Sequence, residues 1–205
     1  MVGEFDYPAG ATPLDPDEAE GLLIGVSTQA ELNELEEANI EEALRWLKTS
    51  RQVKTSLLTS KTLNLIHKRM FGGVWRWAGT FRKTQKSVGC EAWRVPTELR
   101  MLCDDVQVWI EHQTYPPSEI LARFHHRLTW IHPFPNGNGR WARAATDALA
   151  RNLNFRTLSW GRGMPSPREE YLSALREADG HQYERLIAFM LFDPPLQQTP
   201  INRQS

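Results

Sequence analysis

Cysteine is scarce in this chain: only Cys90 and Cys103 occur among its 205 residues. Two cysteines do not make the disulfide framework of a small secreted domain, and no C-x-x-C pair offers the spacing of a zinc site. The N-terminal residues are acidic and lack a basic region followed by an apolar stretch, so they do not resemble a secretory signal. We therefore expect a protein of a reducing compartment, the cytoplasm.

Net charge and long apolar runs are also lacking. The 24 Lys and Arg residues nearly balance the 25 Asp and Glu residues, which gives a formal net charge of −1. This balance argues against bulk electrostatic binding to nucleic acid or to an anionic membrane. No run approaches the roughly 20 apolar residues that span a bilayer. We therefore expect no membrane association and no nucleic-acid binding.

Strand-like patterning is confined to residues 76–96, where β-forming residues stand on both sides of Gly89. This pattern predicts a short β-hairpin, a flap able to pair with an incoming peptide, or equally well an irregular connecting loop. Elsewhere, apolar residues at helical spacing predict an all-α body. The predicted helices cover residues 27–48, 55–71, 96–113 and 118–131, one stretch from Asn138 onward, and two stretches between 167 and 192.

The most distinctive stretch is HPFPNGNGR, residues 132–140. Its prolines and glycines exclude the interior of a helix or strand, and the sequence turns helical directly after Gly139. Backbone N–H groups at a helix N-terminus, with the helix dipole behind them, favour bound phosphate. Arg140 and Arg143 are three residues apart and project from the same side of the first turn, where they form a candidate polyphosphate clamp. His132 is the side chain of this loop that titrates near neutral pH.

The run HPFPNGNGRWAR, residues 132–143, resembles the signature of the Fic family, written HPFx(D/E)GNGRxxR. The segments LIHKRMFGGVWRWAGTFR, FHHRLTWIHPF and YLSALREADGHQYERLIAFM resemble the family's flanking helices, so the resemblance covers residues 55–192. TPLDPDEAEGL and AELNELEEANI are similar to a bacterial subgroup called mobile mystery protein B. The resemblance implies an all-α Fic-type helical core with a short β-hairpin flap and an N-terminal helical extension.

The family resemblance also implies an activity, the transfer of AMP from ATP to a Ser, Thr or Tyr hydroxyl of a target protein with release of pyrophosphate. Carried over by position, His132 is the expected general base and Phe134 a buried anchor. The target protein is expected to dock on the flap near residues 84–95. The expected phosphate-binding residues are Gly137, Asn138 and Gly139 around the α- and β-phosphates, and Arg140 and Arg143 at the β- and γ-phosphates.

Asn136 departs from the family pattern, which has Asp or Glu at this position to hold Mg²⁺. An amide oxygen can ligate Mg²⁺, but it lacks the charge that makes a carboxylate a strong ligand. By its position in the motif, Asn136 is still the expected metal ligand. ATP is the expected substrate and Mg²⁺ the expected cofactor. Two alternatives follow from this departure: a nucleotide-binding Fic protein that has lost catalysis, and a transferase of another phosphate-containing group.

Many Fic proteins carry an inhibitory helix of pattern (S/T)xxxE(G/N), whose glutamate pairs with the first arginine of the motif. Ser27 to Glu31 fits the first five positions of this pattern, and Leu32 does not fit the sixth. Glu31 is the first inhibitory candidate and Glu34 the second, although Glu31 also completes a capping box with Thr28. The expected organisation is an N-terminal arm and acidic helix (1–54) with this candidate inhibitory role, a Fic domain (55–192) and a disordered tail (193–205).

Overall fold

The computed structural model describes residues 15–25 and 28–193, and the described part of the chain is helical. Its compact units are Met1–Arg156 and Thr157–Ser205. The helices are α1 (Pro16–Ala19), α2 (Gln29–Thr49), α3 (Arg51–Ser56), α4 (Ser60–Phe71), a 3-10 helix (Ala92–Arg94), α5 (Val95–Glu111), α6 (Pro117–Ile131), α7 (Asn138–Asn152), α8 (Pro167–Asp179) and α9 (Glu184–Met190). The all-α prediction is confirmed.

The start of α2 follows the predicted capping chemistry. Thr28 is the N-cap: its Oγ1 accepts the N–H of Glu31 at 3.2 Å, and the Glu31 carboxylate accepts the N–H of Thr28 at 3.3 Å. This exchange satisfies backbone donors that a helix start otherwise leaves without partners. Beyond this start, α2 lies against α4 and contacts α7.

The first unit is organised around α6 and α7, which pack against each other. Phe124 and Leu128 of α6 are fully buried, and α7 presents the small residues Ala144, Ala145 and Ala148 to the interior. Small side chains on one helix let the larger ones of its neighbour pack closely, and each fully buried large apolar side chain contributes roughly 1.5–3 kcal/mol. The two helices therefore hold both ends of the loop at residues 132–137.

The predicted β-hairpin is wrong. Residues 76–96 are all described and contain no strand; they form an irregular segment that is followed by the 3-10 helix and the start of α5. The reason is that their backbone donors bond elsewhere: the N–H of Arg82 donates to the carbonyl of Pro133 at 2.9 Å, and the N–H of Cys90 donates to that of Trp130 at 3.1 Å. The segment is thus fastened to the end of α6 and to the following loop instead of pairing with itself.

The N-terminal segment, residues 15–25, contacts the same region. An isolated antiparallel bridge joins Leu22 to Trp75. The ammonium group of Lys86 lies 2.9 Å from Asp15 and 2.5 Å from Glu18, and the Lys86 side chain is only 3% exposed. A buried charge needs such partners, since an unpaired one would be costly. The chain before Asp15 and the predicted disordered tail beyond Asp193 lie outside the described residues.

The second unit contains α8 and α9, which pack together. Arg185 of α9 pairs with Glu170 and Glu177 of α8, each at 2.7 Å, and the rings of Tyr171 and Phe189 lie 5.4 Å apart. The compact units divide after Arg156. The domain limits after residues 54 and 192 stay a prediction. No helix within residues 15–25 and 28–193 is both long and apolar enough to cross a membrane.

Candidate active site

His132 lies at the C-cap of α6 and takes the left-handed conformation, with φ 51° and ψ 60°. Its N–H still donates to the carbonyl of Leu128 at 3.2 Å, so the helix ends on this residue. Burial lowers the pKa of His132 to about 4, with the positive charges of Arg82 and Lys86 acting in the same direction. The expected titration near neutral pH is thus not what the folded chain shows, because burial disfavours the charged imidazole. His132 is neutral at pH 7, which is the form that a general base requires.

Phe134 anchors the loop from inside the protein. Its side chain is fully buried, stacked 3.7 Å from the ring of His67 and edge-on to Trp141 at 4.9 Å. His67 adds a polar tie, because its Nδ1 accepts the N–H of Gly79 and its Nε2 therefore donates to the carbonyl of Asn136 at 3.0 Å. The prediction of a buried Phe134 is confirmed, and His67 is buried beside it.

Asn138 closes the loop with its side chain. Its Oδ1 accepts the N–H of Phe134 at 2.9 Å, its Nδ2 donates to the carbonyl of the same residue at 2.8 Å, and the residue is 3% exposed. An amide that exchanges both bonds with one residue holds those two backbone positions together. The structure thus gives the Asn138 side chain a role in loop shape, and leaves its backbone N–H, at the first position of α7, to the predicted phosphate site.

The two glycines of the loop differ in what the fold demands of them. Gly137 has φ 78°, and a Cβ placed there would come within 2.6 Å of the Phe71 ring, so the protein itself requires glycine. A Cβ placed at Gly139 would meet no other described atom within 4 Å. Gly139 lies in the first turn of α7, and its neighbour Gly137 has no side chain with which to cap that helix. This arrangement leaves room for a ligand to approach the N–H groups of the helix start.

Arg140 is held by a residue that the sequence pattern did not identify. Its Nη1 lies 2.6 Å from Oε2 of Glu36, and its guanidinium carbon lies 4.9 Å from the centre of the Phe71 ring. The other oxygen of Glu36 accepts the indole N–H of Trp75 at 2.6 Å, and Glu36 is 7% exposed. The carboxylate that α2 presents to the loop is therefore that of Glu36.

The two predicted inhibitory candidates lie elsewhere on α2. Glu31 is exposed and belongs to the capping box, and Glu34 is exposed as well. The sequence did carry a signal for Glu36: Leu32, Glu36, Ala43 and Leu47 are the buried residues of α2, at spacings of four, seven and four. A glutamate within a helical stripe that faces the core is expected to meet a cation or a donor.

Arg143 does not share the environment of Arg140. It lies one turn further along α7, half-buried, and close enough to His125 that its charge adds to burial in lowering the pKa of that histidine to about 3. His125 is fully buried and lies 3.3 Å from the hydroxyl of Thr146. The predicted clamp thus consists of a half-exposed Arg140 next to α2 and a more deeply placed Arg143.

Asn136 provides little for a resident metal ion. Its Oδ1 already accepts the N–H of Gly137 at 2.5 Å. Among the described residues, no group of three or more His, Cys, Asp or Glu side chains could hold a metal ion. Mg²⁺ is usually held by one or two carboxylates together with substrate phosphates. The residues present do not fit a dedicated Mg²⁺ site.

Comparison with known proteins shows which family this helical site is similar to. Residues 57–150 match the family model of the Fic/DOC family. The match includes α4 to α6, most of α7, the irregular segment before α5 and the whole loop at residues 132–137. This part of the chain, slightly less than half of its length, is therefore similar to a Fic/DOC family domain.

Individual relatives agree with this assignment. The chain is 26% identical over 153 residues to a protein adenylyltransferase Fic of Aedes aegypti, with 73% of this chain and 31% of that protein covered. Fic-1 (residues 134–508) from C. elegans is 25% identical, with a TM-score of 0.61 over 84% of this chain and 51% of that structure. The N-terminal Fic domain of a Bartonella quintana effector, solved with bound ADP, is 18% identical, with a TM-score of 0.64, and 81% and 86% of the two chains are covered.

The chain spans less than a third of the Aedes relative's length, and the Bartonella likeness shows the fold alone. None of the three relatives bears the name of the mobile mystery protein B subgroup. That finer assignment stays a prediction.

Proposed function

We propose that this protein is a Fic-type protein adenylyltransferase, which moves AMP from ATP to a Ser, Thr or Tyr hydroxyl of a target protein. The observation that carries the proposal is the loop geometry. Neutral His132 stands at the end of α6, and five residues connect it to the start of α7. Phe134 and Asn138 maintain the conformation of this connection. The relatives named adenylyltransferase support the same reaction for this domain.

In this reaction the imidazole of His132 accepts the proton of the target hydroxyl, and the hydroxyl oxygen forms a bond to the α-phosphorus. The bond from that phosphorus to the bridging oxygen of the β-phosphate breaks, and pyrophosphate leaves with the electron pair. The first-turn N–H groups of α7 at Asn138 and Gly139 receive the phosphate oxygens, and Arg140 and Arg143 neutralise the charge of the leaving group. These steps depend on positioning and charge, which the loop provides.

The nucleotide is proposed to be ATP, in line with the ADP in the Bartonella quintana structure. Because Asn136 contributes at most one neutral oxygen, Mg²⁺ would arrive with the nucleotide and be held chiefly by its phosphates. The metal would reduce the negative charge of the triphosphate.

The target protein is proposed to dock on residues 84–95. This segment exposes two large apolar side chains, Trp93 at 81% and Val88 at 52%. Exposed apolar groups beside a site favour a protein partner. Since the segment is not a hairpin, docking by strand addition finds no support in its structure, and side-chain contacts are the proposed mode. The cytoplasmic location likewise stays a prediction from the sequence.

We further propose that α2 restrains this activity through Glu36. The ion pair with Glu36 occupies the guanidinium of Arg140, which is needed for the terminal phosphates. The carboxylate also adds a negative charge where a polyanion would bind, and like charges repel strongly at short range. Glu36 replaces Glu31 and Glu34 in the proposed inhibitory role.

The test is incubation of the full chain with ATP labelled at the α-phosphate, beside ATP labelled at the γ-phosphate, in cell lysate and alone. AMP transfer predicts protein-bound label from the α-labelled nucleotide only, lost in His132→Ala. Mass spectrometry of the purified protein reveals the mass of any group that it attaches to itself. Label from γ-labelled ATP would instead indicate another transferred group.

Asn136 favours a second candidate, a nucleotide-binding protein without transferase activity. Calorimetry with ATP and Mg²⁺ separates the two. Binding without labelling, in the wild type and in Glu36→Gly alike, would support the second candidate and refute the first.

A further inference from the structure

Arg82 lies two residues before the flap segment, residues 84–95, and its guanidinium connects that segment to the end of α6. The residue is 3% exposed. Nε donates to the carbonyl of His132 at 2.7 Å, and Nη1 donates to that of Thr84 at 3.0 Å. Nη2 donates to the carbonyl of Cys90 and lies 3.5 Å from that of Ile131. One buried cation is thus shared by carbonyls on both sides of the site.

These carbonyls include the last ones of α6, which have no partner within the helix. A positive charge at the C-terminal end of a helix is stabilising, and the planar fork of arginine can serve several acceptors at fixed angles. A lysine has the same charge but not the fork. The arrangement at Arg82 therefore uses a property that arginine alone among the side chains possesses.

His132 needs such support because its backbone conformation is unusual. A non-glycine residue at φ 51° costs on the order of 1–3 kcal/mol and persists only where its surroundings hold it. Gly89 of the flap segment has φ 105°, and a Cβ there would come within 2.6 Å of the His132 Cβ and 3.0 Å of Arg82 Nη2. The flap segment therefore packs closely against His132 at Gly89, and the guanidinium of Arg82 lies next to this contact.

We propose that Arg82 is a positioning residue for the transfer reaction: it fixes the orientation of His132 and the place of the flap segment relative to it. This inference rests on the proposed function. It concerns the chemical step and target docking, and it predicts that ATP binding at α7 is spared when Arg82 is changed.

The charge of Arg82 gives this role a measurable signature. Burial is the largest cause of the lowered pKa of His132, and the charges of Arg82 and Lys86 lower it further. A hydrogen bond with the backbone of Thr129 acts in the opposite direction. Lys86 is itself paired with Asp15 and Glu18 of the N-terminal segment, whereas the guanidinium of Arg82 donates to backbone carbonyls and interacts with Glu18 through charge alone. Removing its charge should raise the pKa of His132 toward its usual range. A residue that stabilised the fold without lying close to His132 would leave this pKa unchanged.

The experiment compares Arg82→Lys and Arg82→Met in the Glu36→Gly background, with Arg100→Met on the exposed face of α5 as the matched control. We expect kcat to fall about tenfold in the lysine variant and about 100-fold in the methionine variant, since small misplacements of a catalytic group have effects of this size. The ATP dissociation constant should stay within about twofold, a change of roughly 0.4 kcal/mol. The acid limb of the pH–rate profile should move up by about one pH unit in Arg82→Met and little in Arg82→Lys.

A folded Arg82→Met with the kcat and acid limb of the parent would overturn the proposal. If that variant does not fold, Arg82→Lys decides: reduced kcat with preserved ATP binding supports the proposal, and unchanged kcat overturns it. If the parent transfers no AMP, the proposed function fails, and the pKa of His132 followed by NMR still tests Arg82. An upward shift in Arg82→Met, absent in Arg82→Lys and Arg100→Met, supports the direct action of Arg82 on His132 that the proposal requires, and equal pKa values in all three variants refute it.

Discussion

Replacing Glu36 by glycine should activate the protein, because this one change removes the carboxylate from Arg140 and leaves the loop intact. The ion pair joins α2 to the first turn of α7 at 2.6 Å, and Trp75 fixes the second oxygen of the same carboxylate. A freed Arg140 can turn toward the terminal phosphates of ATP. The perturbation thus acts on a residue that contacts the site but performs no chemistry in it.

The size of the effect follows from the competing interactions. A hydrogen bond between charged groups contributes about 1.5–3 kcal/mol to stability. The lower end applies here, because the Arg140 side chain is 43% exposed and water screens the pair. At 1.4 kcal/mol per factor of ten, the nucleotide should bind roughly tenfold more tightly in the productive arrangement. We expect the rate of labelling to rise by a similar factor, and by about 100-fold at most.

The assay is the initial rate of protein labelling from α-labelled ATP, together with calorimetry of ATP binding, for Glu36→Gly, Glu36→Gln and the wild type. Glu37→Gly is the matched control, since it places the same glycine in α2, at about 1 kcal/mol of helix propensity, on an exposed position. Glu36→Gln keeps an acceptor for Trp75 and removes the charge, so its rate should lie between those of the wild type and Glu36→Gly.

Glu31→Gly should lose its capping box without activating the enzyme. Equal labelling rates and equal ATP affinities in Glu36→Gly and Glu37→Gly, with label still lost in a His132→Ala background, would refute the reasoning. Activation by Glu31→Gly but not by Glu36→Gly would return the inhibitory role to the residue that the sequence pattern first indicated.

Three further predictions concern the loop and its support. Asn136→Asp should raise the labelling rate and lower the Mg²⁺ concentration needed for half-maximal rate, by about tenfold, because a carboxylate ligates Mg²⁺ more strongly than an amide does; equal Mg²⁺ titrations would contradict this. Gly137→Ala should lower the melting temperature through its positive φ and its contact with the Phe71 ring, whereas Gly139→Ala should leave stability within about 0.5 kcal/mol and weaken ATP binding. His67, His125 and His132 are buried, with pKa values of about 3, 3 and 4, so the unfolded chain binds more protons than the folded chain below pH 6.5. The free energy of unfolding should therefore fall by about 6 kcal/mol from pH 7 to pH 5 in denaturant titrations, and a His67→Gln variant should lose about one third of this dependence.

The loop was the part of the site that the sequence predicted best, and the reason is local. Prolines and glycines restrict backbone conformation within a few residues, and a helix start is recognisable from the spacing that follows it. Residues 132–137 therefore carry most of the information on their own conformation. The folded chain adds contacts that the sequence does not reveal: His67 stacks on Phe134, and the Asn138 side chain forms two hydrogen bonds with the Phe134 backbone.

The flap shows where such local reasoning fails. Its β-forming residues favour an extended backbone, and the structure does keep residues 79–91 out of any helix. Pairing, however, is decided by which donors and acceptors lie nearby, and here the nearest belong to Trp130 and Pro133. Because those acceptors are about 40 residues or more away in sequence, no window around residues 76–96 could reveal them.

Two glutamates of one helix show the same division between local and long-range causes. Glu31 matches the inhibitory pattern, and its carboxylate also suits a capping box, an interaction complete within four residues. Such a group has a sufficient local partner, and nothing about its position requires a distant one. Glu36 has no capping role and lies in the stripe of buried residues, where a carboxylate is stable only beside a cation or strong donor from another element. For a helix that regulates a site at a distance, the glutamate at a core-facing position is therefore the better candidate, even when another one fits the sequence pattern more closely.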